Sequence, residues 1–387
     1  MPDDLSQVHT IYHAQEKHAM NQEERREART AKIKTFNESG AAHRDSQIFG
    51  LPFSLEESEV AIIPVPWDVT LSYREGTANG PDAIRAASRQ VDLYDPLAED
   101  AWMYGFATQL FDEEYIANLA LQLRPLAQAC IRHQETGRAP NDPKFLSNLE
   151  DVNKGGETLN GRIYRQSLHF LEQHKIVGVV GGDHSVPLGL MQALAAHYGS
   201  YGILHIDAHF DHRDAFEGFR FSHASIMRNA SRIQEIEKIA HVGIRDYCKE
   251  EAQFVAASPR RFITLTDWQI AYNTLTCTGS WLDECNRIMQ LLPRRVYVSF
   301  DIDGLDQKYC PHTGTPVPGG LEFSQVCFLL QCLLLNKKQI IGFDLCEVAP
   351  APTSLDWAGD WNAIVGSRIL YKLCSLAAMC SFGPYSS

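Results

Sequence analysis

Short, unbroken apolar runs rich in β-branched residues recur along this chain, spaced widely enough for a helix between neighbours. They lie at Val60–Val65, Met103–Phe106, Ile176–Val180, Ile203–Ile206, Ile239–Ile244, Phe262–Leu265, Val296–Phe300 and Ile340–Phe343. The runs are continuously apolar rather than alternating, so each predicted strand has both faces covered, as in a parallel sheet with helices on either side. The stretches Pro81–Ser88, Leu159–His174, Val186–His197, Ser222–Asn229, Ser280–Leu292, Phe323–Leu335 and Trp361–Ala378 are long enough to supply the helices. The expectation is an α/β chain, a three-layer α/β/α sandwich around an eight-stranded parallel sheet.

Within the 387 residues, positions 1–45 are polar and helix-prone and read as an N-terminal helical extension. Positions 37–50 read as a linker, and 46–387 as the main domain. Residues 112–160 hold more helix and loop than one crossover needs, so an insertion is expected there. The net charge of -13, with no basic stripe, argues against nucleic acid as a partner. Acids and bases are interspersed over Glu23–Lys34, which predicts a solvated helix face. No apolar run approaches the roughly 18–20 residues needed to cross a bilayer. The N-terminus has no apolar stretch of the signal-peptide kind, so the cytoplasm is the expected location, with no membrane partner. The ten cysteines include no C-x-x-C pair and read as free thiols.

The chemistry lies at the ends of three predicted strands. Ile176–Val180 runs into Gly181-Gly182-Asp183-His184-Ser185, Ile203–Ile206 into Asp207-Ala208-His209-Phe210-Asp211, and Val296–Phe300 into Asp301-Ile302-Asp303-Gly304. In a parallel α/β sheet these ends share one edge, where ligands bind. On extended backbone D-x-H-x-D puts three side chains on one face, and D-x-D two. A lone D-x-D is commonly a solvated turn, and a lone GGDHS a turn before a helix cap. Together they crowd carboxylates whose mutual repulsion and desolvation a bound cation relieves. The candidate ligands are His184, Asp207, His209, Asp211, Asp301 and Asp303. Four carboxylates and two imidazoles are too many for one tetrahedral zinc and suit two divalent ions. The oxygen-rich set favours manganese, with nickel, cobalt or zinc also able to bind. Asp183 reads as a support for His184 rather than as a ligand.

These residues resemble the ureohydrolases, the family of arginase and agmatinase. The resemblance rests on GGDHS (181–185), DAHFD (207–211), SFDIDGLDQKYCPHTGTPVPGG (299–320), EVAP (347–350) and the segment from Pro64 to Arg85, and spans about residues 58–375. It implies an arginase-like catalytic domain. One ion would be held by His184, Asp207, Asp211 and Asp301, and the other by Asp207, His209, Asp301 and Asp303, with Asp207 and Asp301 bridging and the nucleophilic water between them. It also implies roles outside the ligand set. His223 would relay a proton to the leaving amine, where on its own it reads as a capping or core histidine. Glu347 would pair with the substrate guanidinium, where on its own it reads as a surface-turn acid. Asp303 would hold the proton of the attacking water.

The implied reaction is hydrolysis of a guanidino carbon–nitrogen bond with release of urea. The loop His212–Phe221 has little match to the arginase loop that holds an amino-acid head group, which disfavours arginine. Its aromatics, Phe216, Phe219 and Phe221, either close over a small cation or belong to the core. Glu75-Gly76-Thr77 departs from the usual family pattern, which makes Thr77 a candidate substrate contact. These features resemble the agmatinase-like guanidine-hydrolase branch, some of whose members are associated with nickel. Guanidine is therefore the expected substrate, ahead of agmatine and guanidinobutyrate. Two other readings are a non-catalytic sensor of metal or guanidino ligand and a deacetylase on a related fold. The family implies a homo-trimer or homo-hexamer.

Overall fold

Eight strands pair side by side, every pair parallel, in the order β2-β1-β3-β8-β7-β4-β5-β6. They are β1 (Val60–Val65), β2 (Phe106–Thr108), β3 (Ile176–Gly181), β4 (Tyr201–Ile206), β5 (Ile236–Ile244), β6 (Phe262–Thr266), β7 (Arg295–Asp301) and β8 (Gln339–Cys346). The computed structural model describes residues 20–43, 46–109 and 113–385. Its helices are α1 (Gln22–Ile33), α2 (Gly80–Ser88), α3 (Glu113–Glu135), α4 (Pro143–Glu172), α5 (Leu188–Tyr198), α6 (Ile226–Ala230), α7 (Lys249–Ala256), α8 (Asp267–Thr276), α9 (Trp281–Leu291), α10 (Phe323–Leu335) and α11 (Trp361–Phe382).

The continuous apolar runs are explained by two separate cores. Val60 and Ile62 of β1 join Val298, Phe343 and the inner faces of α9, α10 and α11. Ala61, Ile63 and Val65 face the opposite way and join Val177, Ile203 and the faces of α3, α4 and α5. The period-two alternation of a strand thus feeds both layers. Each buried Val, Leu or Ile stabilises the sandwich by about 1.5–3 kcal/mol. The helix α11 is the one among the described residues long and apolar enough to cross a membrane, and 72% of its most apolar window is buried inside the protein. It is a core helix.

Several expectations are corrected. Met103–Phe106 is not a strand: Ala101–Tyr104 is a 3-10 turn, Gly105 bends the chain at a φ of 73°, and β2 starts at Phe106. The Trp102 ring is occupied by contacts with Phe36 and Phe53. Ser222–Asn229 splits into a 3-10 turn at His223–Ser225, capped by the Ser222 hydroxyl, followed by the short α6. Helices α7 and α8 lie outside the stretches expected to be helical, whereas α3 falls within the insertion expected at 112–160. Residues 113–172 form two long helices between β2 and β3, with Asp142 capping α4 through the amides of Lys144 and Phe145.

Nor is α1 wholly solvated. Its Asn21–Glu24 capping box starts the helix, but Arg25 and Arg29 are buried and clasp Glu59, the residue before β1. Arg25 donates from Nε and Nη2 to Glu59 Oε2 (3.2 and 2.9 Å), and Arg29 from Nη1 to Oε1 (2.9 Å). The charge pattern concealed this, because both cations have their counter-ion 30 or more residues away. The rest of the expected extension, residues 1–19 and 44–45, lies outside the described residues.

Candidate metal centre and active site

Strands β3, β8, β7 and β4 are consecutive in the sheet, and their C-terminal ends bring the three motifs and Glu347 to one edge. Gly182 makes the first turn possible. A Cβ there would fall 1.9 Å from the Trp67 carbonyl oxygen, against which the chain turns after β3. The Asp183 amide donates to that same oxygen at 2.7 Å.

All six expected ligands crowd together around two imidazole nitrogens. His184 Nδ1 stands 3.1 Å from Asp207 Oδ2, 3.3 Å from Asp211 Oδ2 and 3.4 Å from Asp301 Oδ2. His209 Nδ1 stands 3.4 Å from Asp207 Oδ1 and 3.2 Å from Asp303 Oδ2. Asp207 thus presents one oxygen to each group, while the Asp303 amide donates to Asp301 Oδ1 at 2.8 Å. Asp211 takes up its place with a φ of 54° and Glu347 with a φ of 64°, left-handed conformations that cost a non-glycine residue roughly 1–3 kcal/mol.

The donors fit cations. Two ligands about 2.1 Å from a shared ion are roughly 3.0 Å apart on an octahedron and roughly 3.4 Å on a tetrahedron, which brackets the spacings around His184. The other ring nitrogen of His184, Nε2, lies 2.9 Å from the Ser299 hydroxyl and 3.5 Å from Asp344 Oδ1. If that nitrogen carries the proton, the Nδ1 lone pair confronts three carboxylate oxygens and needs a positive charge between them. Without metal, protons supply it. Burial alone would lower the His184 pKa, but Asp207, Asp211 and Asp301 together raise it well above the ordinary value. Burial and the Asp207 charge push Asp211 up to about 6. Burial and the charges of Asp303 and Asp207 push Asp301 well up.

Asp303 is held by the Ala208 amide, which donates to Oδ1 at 3.0 Å, and its Oδ2 accepts from Thr315 Oγ1 at 3.4 Å. Glu347 accepts the His184 amide on Oε1 at 2.9 Å, while its Oε2 is buried without a partner. Burial and the charges of Asp301 and Asp183 raise its pKa well above the ordinary carboxyl value. Asp183 Oδ1 accepts from the amide and hydroxyl of Ser185 and forms no hydrogen bond with His184.

His223 lines a cavity of about 450 Å³ with His209, Asp211, Tyr73, Phe216 and Arg213. Burial and the nearby His209 and His184 lower its pKa to about 4. The Phe216 ring meets His223 edge-on at 5.9 Å, and the Arg213 guanidinium lies over Phe216 at 4.9 Å. Of the other two aromatics, Phe219 is fully buried in the core and Phe221 packs against its margin. Thr77 opens a 3-10 turn and is buried, with its hydroxyl unpartnered. That turn packs on the segment after Glu347: a Cβ on Gly80 would come within 2.3 Å of the Val348 carbonyl oxygen. Neither Glu347 nor Thr77 lines the cavity that His223 does.

The sequence reading missed the supports. His205 Nε2 lies 2.9 Å from Asp207 Oδ2. Asp344 accepts from Tyr297 OH at 2.6 Å and from the Phe300 amide at 3.2 Å. A signal existed: carrying the period-two count one step back from Asp207 and Asp301 reaches His205 and Ser299.

A parallel sheet with this carboxylate–imidazole cradle at its C-terminal edge defines a metal-dependent hydrolase of the ureohydrolase type. Residues 58–375 match the arginase family, and the chain belongs to it. It is 30% identical over 336 residues to the N(1)-aminopropylagmatine ureohydrolase of Thermococcus kodakarensis, covering 86% of this chain and 96% of that one. It is 29% identical to the mitochondrial agmatinase of Gallus gallus, covering 84% of this chain and 82% of that one. Among solved structures, the proclavaminate amidino hydrolase from Streptomyces clavuligerus shares the fold, with a TM-score of 0.66 at 24% identity over 88% of this chain and 100% of that one. The chain is therefore a hydrolase acting on carbon–nitrogen bonds of guanidino compounds, in a family that depends on a pair of metal ions.

Proposed function

We propose that this protein hydrolyses guanidine itself to urea and ammonia. His184, Asp207, Asp211 and Asp301 would hold one cation, and Asp207, His209, Asp301 and Asp303 the other. Two bound divalent ions supply the Lewis acidity that lets water ionise near neutral pH. Asp303 takes and holds the proton lost by the attacking water. His223, which lines the cavity, relays a proton from solvent there to the departing amine. Glu347 binds the substrate cation, and Thr77 offers it a further acceptor.

The observation that carries this reading is the bare Oε2 of Glu347, a buried carboxylate oxygen with no donor of its own. A guanidinium presents paired N–H donors and a charge that such an oxygen lacks. The preference for the smallest substrate rests on Phe216, edge-on to His223, and on Arg213 over the Phe216 ring, all three lining the cavity. A distal ammonium, as in agmatine, would meet the Arg213 cation there.

A second reading, agmatine or its aminopropyl derivative, is favoured by the relatives and by Asp246, an exposed acid on the same rim. Guanidinobutyrate would suit Arg213 instead. Manganese or nickel as the metal, a trimer or hexamer, and a cytoplasmic location belong to the same proposal. The test is to purify the protein with manganese or nickel and to assay urea release from guanidine, agmatine, aminopropylagmatine, arginine and guanidinobutyrate. Fastest turnover of guanidine supports the proposal, and fastest turnover of agmatine replaces it with the second reading. Silence on every substrate points to the sensor. Sedimentation of the same samples gives the assembly.

A further inference from the structure

Behind Asp207, and not among the residues that line the cavity, three buried imidazoles stand in line. His205 Nε2 lies 2.9 Å from Asp207 Oδ2, His205 Nδ1 lies 2.8 Å from His241 Nδ1, and His241 Nε2 lies 3.2 Å from His212 Nε2. His205 and His241 are fully buried and His212 is 3% exposed. The far end, His212 Nδ1, has no partner. Aromatic rings enclose that end, with Phe254 at 5.0 Å and Phe262 at 4.9 Å from His212 and Phe210 edge-on to His241 at 5.2 Å. Among the described residues, Asp207 is the only carboxylate within ion-pair reach of these three rings.

The hydrogens along this line follow from the partners. A carboxylate that ligates a cation can only accept, so His205 must donate from Nε2. In a neutral ring its Nδ1 is then an acceptor, which obliges His241 to donate from Nδ1. His241 Nε2 becomes an acceptor in turn, and His212 must donate from Nε2. The last lone pair falls on His212 Nδ1, the one ring nitrogen that has no partner. Every N–H therefore points towards Asp207, and no ring has to carry a charge within the aromatic enclosure. A charged His205 would reverse the line and bury an unsatisfied N–H among those rings.

We infer that His205, His241 and His212 form a one-way hydrogen-bond string that fixes the orientation of Asp207, which makes His241 a positioning residue for the metal centre. The string acts on Oδ2, the Asp207 oxygen that faces His184, while Oδ1 is fixed independently by the His209 amide at 2.6 Å. With both oxygens pinned, a carboxylate shared by two ions cannot rotate out of the shared plane. Removing His241 leaves His205 free to turn or to change tautomer, and Asp207 with it.

The test uses the full chain and manganese alone, so it is independent of which substrate the enzyme prefers. Manganese affinity would be measured by competition with a chelating indicator for wild type, His241→Phe and His241→Gln. Phe fills the space without a donor, whereas the Gln amide can still donate to His205. The expected result is a fall of about 10–100-fold in affinity for His241→Phe, with affinity largely kept by His241→Gln. Metal-free circular dichroism would match wild type in both. Unchanged affinity in a folded His241→Phe protein overturns the inference. Should that variant fail to fold, ring ¹⁵N spectra of the zinc-loaded wild type decide. A proton on His205 Nε2 and on His241 Nδ1 supports the string, and any other tautomer pair overturns it.

Discussion

Glu347 and Gly314 share one small space: a Cβ on residue 314 would come within 2.8 Å of Glu347 Oε2. The residue opposite the free oxygen of the buried carboxylate has no side chain, which leaves the space in front of that oxygen open. Gly314→Ala should leave metal content unchanged and weaken substrate binding. Overpacking of about 1–3 kcal/mol corresponds to a KM raised about 5- to 150-fold. An unchanged KM would show that the substrate cation does not use Oε2.

Asp303 is presented by two fixed donors, the Ala208 amide and the Thr315 hydroxyl. Asp303→Asn keeps the shape and removes the ability to hold the proton of the attacking water. Turnover should fall by about 10²–10⁴-fold. Near-normal turnover in metal-replete protein would exclude the assigned role.

Acidity acts in opposite directions on the metal-free and metal-loaded forms. Burial and the Asp207 charge raise Asp211 to about 6. A folded pKa above the unfolded value gives stability that is complete below the unfolded pKa and is lost as pH rises through the folded one. Stripped protein should therefore melt higher at about pH 5.5 than at about pH 7.5. Metal binding must displace the same proton, so metal affinity should drop as pH falls through about 6. Thermal melts of both forms, and a pH series of metal titrations, check the two signs.

Glu59 is the shared counter-ion of Arg25 and Arg29, one carboxylate oxygen for each. Its removal leaves two buried guanidinium groups without a counter-ion, a change that costs about 3–5 kcal/mol for a buried pair. Glu59→Ala should loosen α1 and expose it to trypsin, while metal content stays intact because the site lies at the opposite ends of the strands. Limited proteolysis with metal analysis reads both effects.

The sheet and the ligand motifs were legible because their signals are local. An unbroken run such as Val60–Val65 states its own burial, and D-x-H-x-D carries its geometry in its spacing. What stayed hidden depends on partners distant in the chain. Arg25 looks solvated until Glu59 is placed beside it, and His241 looks like an ordinary strand residue until β4 is placed next to β5. Trp102 directly precedes the apolar run Met103–Phe106, its ring is claimed by Phe36 and Phe53, and a turn over Ala101–Tyr104 replaces most of the expected strand. The left-handed backbone at Glu347 has no signature in residue type, and an aspartate such as Asp211 enters that region too rarely for its type to announce it.

The order β3-β8-β7-β4 along the sheet has a consequence for how the protein is made. His184 and Glu347 are 163 positions apart in the chain, and the cradle is incomplete until β8, the last of the described strands in chain order, slots between β3 and β7. Such long-range parallel pairings form late and slowly. A nascent chain lacking β8 therefore has no finished cradle, and metal can stabilise only the completed sheet. The ions would act as a latch on the final folding step and would slow unfolding much more than they speed folding.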